Sequence, residues 1–80
     1  MKKCYIVVRK SFDGEYKTSA FYKLDDARKL VKNEVDKFIR KYCLIGYEPV
    51  VIDDGDTCQT VYVVGTDFYK SLQIVPSYVR

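Results

Sequence analysis

The sequence predicts an α+β fold: two β-hairpins joined by one amphipathic helix (ββαββ), an antiparallel sheet with the helix on one face. Three observations carry this. Asp-Gly occurs twice, at Asp13-Gly14 and Asp54-Gly55, each time between runs rich in β-branched and aromatic residues. Glycine accepts the positive φ that a tight hairpin turn demands. Between the hairpins the apolar period changes, with Ala27, Leu30, Val31, Val35, Phe38, Ile39 and Tyr42 forming the stripe of an amphipathic helix. At 80 residues the chain is read as one domain over 1–80, and so small a domain buries only about 60–65% of its unfolded surface.

The elements follow in order. Residues 4–9 alternate Cys4, Ile6 and Val8 against Tyr5, Val7 and Arg9, which reads as a strand. The first set is read as core and the second as the outer face. Glu15 to Tyr22 alternates in the same way and completes the first hairpin. The helix opens at Asp25, a plausible N-cap, with Asp26 adding negative charge at the positive end of the helix dipole. Arg40 and Lys41 stand at the opposite end, and Gly46 terminates it. Tyr47 to Ile52 is the third strand, with Pro49 confined to its start or to an edge because it lacks an N–H. Gln59 to Val64 is the fourth. The tail, 66–80, stays open between a helical turn capped by Thr66 or Asp67 and a fifth strand over Leu72–Val75 ended by Pro76. The core expected from this pattern is Cys4, Ile6, Val8, Leu30, Val31, Val35, Phe38, Ile39, Val51, Val61 and Val63.

Composition excludes more than it identifies. The chain has no His, so the commonest general base and metal ligand are missing. Cys4, Cys43 and Cys58 have no Cys-x-x-Cys spacing and read as reduced, buried thiols. The apolar run near the start ends at Arg9-Lys10, too short for a signal segment, and no stretch approaches the length of about 20 residues that spans a bilayer. A reducing cytoplasm and no membrane partner are the expectation. The turn Asp53-Asp54-Gly55-Asp56-Thr57 has the carboxylate density of a calcium loop, but Val64 stands where an EF-hand needs its bidentate Glu. With no phosphate-binding Gly-rich loop and no nucleophile–base pairing, the chain is expected to be non-enzymatic and to carry no cofactor or metal.

Two features point to partners. Eight tyrosines occur and no Trp. Tyr5, Tyr16, Tyr22 and Tyr62, with Val7 and Val64, fall on the strand face or strand ends away from the expected core. Exposed Tyr gives large amphipathic contact area at low entropic cost, so these six are the candidate protein interface. One helix covers only one sheet face, and the other suits a protein target or a twofold homodimer. The alternative is the helix's outer side, where Arg28, Lys29, Lys32, Lys37, Arg40 and Lys41 could follow a phosphate backbone. A solvated face, softened by Asp36 four residues before Arg40, explains the same charges. Residues 1–41 carry a net charge of +6 and residues 42–80 a net charge of −3, giving the chain its +3.

The succession Phe12-Asp13-Gly14-Glu15-Tyr16, a second strand, then Leu24-Asp25-Asp26-Ala27-Arg28-Lys29 resembles small accessory proteins of bacteriophages and mobile elements. The likeness covers residues 1–45. It implies a stoichiometric inhibitor or modulator of host machinery, of the anti-CRISPR and anti-defence kind, acting in the host cytoplasm. Many such inhibitors are acidic mimics of nucleic acid; this chain is basic overall, which leaves occlusion of a protein or sequestration of a small ligand. The leading expectation is therefore a protein-binding inhibitor. A small nucleic-acid-binding module and a small-ligand-binding protein are the alternatives.

Overall fold

The computed structural model describes residues 2–53 and 57–79. Its order is β1 (Lys2–Ser11), β2 (Tyr16–Phe21), α1 (Leu24–Leu44), β3 (Pro49–Asp53), β4 (Cys58–Val63) and β5 (Tyr69–Val79). The strands form one antiparallel sheet in the order β2-β1-β5-β4-β3. Both expected hairpins are present. The last strand does not extend the sheet at an edge but enters between them, pairing with β1 along its whole length and with β4.

Turn chemistry explains the connections. Phe12, Asp13 and Gly14 form a three-residue loop in which Gly14 takes φ +88° and the Ser11 N–H donates to the Glu15 carbonyl. The Asp13 carboxylate accepts from the Ser11 hydroxyl at 2.6 Å and from the Glu15 N–H at 3.0 Å. Between β4 and β5, Gly65 takes φ +81°. There the Thr66 hydroxyl donates to the Val63 carbonyl and accepts from the Phe68 N–H. Thr66 thus closes a strand-to-strand turn, and the tail is a strand rather than a helical turn. Nor does Pro76 end it. Alternation places its nitrogen on the side away from β1, so no β1–β5 hydrogen bond needs a proline N–H.

The helix ends where Gly46, at φ +92°, turns the chain and donates its N–H to the Cys43 carbonyl. Its start differs from the expectation: Lys23 is the N-cap and supplies no side-chain cap, while Asp25 and Asp26 lie within the first turn. There they act on the dipole rather than on an orphan amide. The helix buries Ala27, Val31, Val35, Phe38 and Tyr42 against Val7, Val61, Val63, Leu72 and Ile74 of the sheet. Leu30 and Ile39 pack at the margin, as do Tyr5 and Phe21.

On β1 the expected faces are exchanged. Val7 is fully buried beneath the helix and Tyr5 packs against the same cluster, while Ile6 and Val8 are half-buried on the opposite face. The reason is Arg9. Its guanidinium lies on the helix side because Glu34 of the helix neutralises it there. Val51, expected in the core, is exposed at the sheet edge. Cys4 is buried, but alternation sets it with Ile6 and Val8, outside the helix-side cluster. All three cysteines are free, and Cys43 is exposed and Cys58 half-buried, contrary to the expectation of buried thiols.

Candidate protein-interaction face

The sheet face away from the helix is built by strand alternation and by register. Ile6 stands between Ala20 and Val75, and Val8 between Thr18 and Gln73. Tyr62 stands between Val50 and Tyr69, and Thr60 between Ile52 and Ser71. These cross-strand rows run over all five strands without a carboxylate. At one end, Lys10 lies opposite Tyr16, its ammonium 5.7 Å from the ring centroid. Val50, Ile52, Tyr69, Val75 and Tyr16 are exposed, while Ile6, Val8 and Tyr62 are half-buried by their neighbours alone. No described helix or loop crosses this face. The result is a continuous apolar and hydroxyl-bearing surface, the composition that protein interfaces favour.

The six residues singled out from the sequence divide. Tyr16 and Tyr62 belong to this face. Tyr22 is exposed just past β2, and Val64 is exposed in the β4–β5 turn. Tyr5 and Val7 do not belong to it; they lie under the helix. Ile6, Val8, Val75, Val50 and Ile52 take their place. The signal that finds them is the alternation of Leu72 and Ile74, which fixes β5 and through its register turns β1 over.

Opposite this face, between sheet and helix, Glu34 receives two cations. Arg9 Nη1 donates to Oε1 at 3.1 Å and Lys70 Nζ to Oε2 at 2.8 Å, with side-chain exposures of 18%, 12% and 16% for Arg9, Glu34 and Lys70. Burial alone would raise the Glu34 carboxyl. The Lys70 hydrogen bond and the charges of Lys70, Arg9 and Lys37 outweigh it and hold the group below its ordinary range. The Asp13 carboxyl is also lowered, chiefly by the Ser11 hydroxyl and the Glu15 N–H.

A cleft of about 200 Å³ beside Glu34 is lined by Phe12, Phe38 and Tyr42. Its charged lining is Asp13, Glu15 and Glu34 against Lys37, Lys41 and Lys70, so neither sign dominates. Such balance gives no electrostatic preference for an anionic or a cationic ligand. Arg28, Lys29, Lys32, Lys37, Arg40 and Lys41 are all exposed on the helix. The acidic turn at 54–56 lies outside the described residues.

Among the described residues, no helix is long and apolar enough to cross a membrane. Compared with known proteins, the chain matches no family model, no curated protein and no solved structure.

Proposed function

We propose that this chain is a non-enzymatic binding protein that occludes a protein target with its open sheet face. The observation that supports the reading is the uncovered surface itself, where Val8 and Val75 at one end and Tyr62, Tyr69, Val50 and Ile52 at the other share one face without a carboxylate, Ser71, Gln73 and Thr60 between them. A sheet face so poor in charge is the kind of surface that proteins use for partners. The resemblance to phage accessory proteins supplies the kind of target, a component of host defence machinery in the host cytoplasm. The test compares the native chain with Val8→Lys/Val75→Lys, which places two charges on the face and none in the core. A protein recovered stoichiometrically from bacterial lysate after nuclease treatment, and lost with the double variant, is expected. Equal recovery by both chains would refute the reading.

The same face would also close a twofold homodimer. Light scattering during size exclusion separates the cases: a mass near twice 9.4 kDa supports the dimer, and 9.4 kDa a face kept for the target. The exposed helix cations favour a second reading, nucleic-acid binding. It requires salt-sensitive affinity that falls when Lys29, Lys32 and Lys37 become Gln.

A further inference from the structure

The two edges of the sheet are guarded unequally. At one edge β2 presents Tyr16-Lys17-Thr18-Ser19-Ala20-Phe21, with an exposed lysine at its second position. At the other, β3 presents Pro49-Val50-Val51-Ile52-Asp53. Val50, Val51 and Ile52 are 39%, 41% and 44% exposed, so three consecutive apolar side chains reach solvent on both faces of one strand. Natural edges are ordinarily blunted by lysine, proline or a bulge; here only Pro49 serves.

Backbone geometry shows what this edge offers. The Val63 N–H donates to the Phe68 carbonyl, and the Ile74 N–H to the Thr57 carbonyl. Odd-numbered residues of β4 therefore bond toward β5, and the even-numbered Thr60 and Tyr62 bond toward β3. Their register partners Ile52 and Val50 are the residues tied into the ladder. Val51 and Asp53 point their N–H and C=O groups outward, with no strand beside them among the described residues. Pro49 offers a carbonyl alone.

Charge states the partner. Between Lys41 and Lys70 the sequence has no Lys or Arg, while Glu48 precedes β3 and Asp53 ends it. The topology sets β3 at one edge and the lysine-bearing β2 at the far edge. A second β3 paired antiparallel about Val51 would bring Glu48 of one copy alongside the Asp53 end of the other, like charge near like. We infer that the β3 edge takes up an extended segment of a partner protein by strand addition, one with a β-branched or aromatic centre flanked by Lys or Arg. Main-chain bonds at Val51 and Asp53 supply the register, and Glu48, just before the strand, selects a flanking cation. This rests on the reading of the chain as a binding protein and adds the edge and the partner's chemistry.

Val51→Pro is the decisive variant, because it removes an outward N–H and no β3–β4 bond; Val51→Thr keeps the N–H. A displayed library of random decapeptides is panned on the native chain, and a recovered peptide is synthesised and titrated. The expected peptides carry β-branched or aromatic centres with basic flanks, and bind at least tenfold more weakly to Val51→Pro and to Glu48→Lys/Asp53→Lys than to Val51→Thr. Amide shifts centred on Val51 and Asp53 are expected on titration. Recovery of no such peptides, or equal binding by Val51→Pro with the Val50 and Ile52 amides still protected, would overturn the inference. So would a self-associated mass that Val51→Pro alone returns to 9.4 kDa, since the occupant would then be a second copy. If Val8→Lys/Val75→Lys abolishes target capture while Val51→Pro leaves it intact, the open-face reading stands and the edge inference falls.

Discussion

Replacing Glu34 with Gln removes one negative charge from between two cations and changes little else. In the native chain its oxygens accept from Arg9 at 3.1 Å and from Lys70 at 2.8 Å. Charge-assisted hydrogen bonds of this kind contribute about 1.5–3 kcal/mol each when sheltered, and exposed ion pairs only about 0.2–1 kcal/mol. With exposures of 12–18%, the group sits between these limits. Gln still accepts one hydrogen bond but cannot balance Arg9, whose buried Nε already lacks a partner. A loss of about 2–3 kcal/mol is expected, which in an 80-residue chain lowers Tm by roughly 8–24 °C.

Calorimetry across pH supplies the stronger check. The Glu34 carboxyl is held below its ordinary 4.5 in the folded state, so the unfolded chain binds its proton more readily. The stabilisation is therefore present above about pH 4.5 and is lost as pH falls through the lower folded value. Glu34→Gln should remove that part of the acid dependence and converge with the native chain at low pH. A melting temperature within about 2 °C of native at neutral pH would mean that the triad contributes no more than an ordinary surface pair. An unchanged acid slope would refute the linkage.

Adjacent substitutions on β1 test the face assignment. Val7→Thr buries a hydroxyl in the fully buried cluster and should cost about 1–3 kcal/mol. Val8→Thr, on the open face, should cost under about 1 kcal/mol; the reverse order in urea titrations would restore the exchanged faces. Phe38→Ala deletes a buried ring whose centroid lies 4.5 Å from that of Tyr42, tilted against it, and should cost about 3–5 kcal/mol, read from the same titrations. Gly14→Ala meets open space at φ +88°, so only backbone strain of about 1–2 kcal/mol should appear. An unaltered stability would show that the loop relaxes to negative φ.

The hairpins, the helix stripe and its Gly46 terminus were legible because each rests on local chemistry: turn residues, alternation and a 3.6 period. What was not legible depends on partners far apart in sequence. Arg9 reads as an outward residue until Glu34, 25 positions later, is seen to meet it. Likewise, the tail stays open between turn and strand until Lys70 is seen to meet the same carboxylate, 36 positions away. Pro76 looks like a strand terminator until the register shows its nitrogen turned from β1. Tyr16 and Tyr62 were placed correctly because their strands alternate without a buried charge to mislead the assignment. Tyr5 and Val7 were misplaced for the opposite reason.

That one ion triad also decides which side chains meet solvent. Glu34 draws Arg9 and Lys70 to the helix side, and the two-residue period then obliges Val7, Leu72 and Ile74 to follow them. By the same period Ile6, Val8, Val75, Tyr69 and Ser71 are sent to the other face. A sheet whose charges are gathered beneath its own helix leaves the outer face depleted of them, which is the reverse of how a half-exposed sheet is ordinarily made soluble. The chain thus spends its helix, Arg9 and Lys70 on the closed side. Mostly uncharged side chains fill the open face, with Lys10 at one end, and β3 stands at its edge. Cores alone do not require that arrangement, because hydrophobic burial would be served as well with lysines outside. A surface kept free of carboxylates beside an edge kept free of lysine is what a partner's strand and side chains would need together.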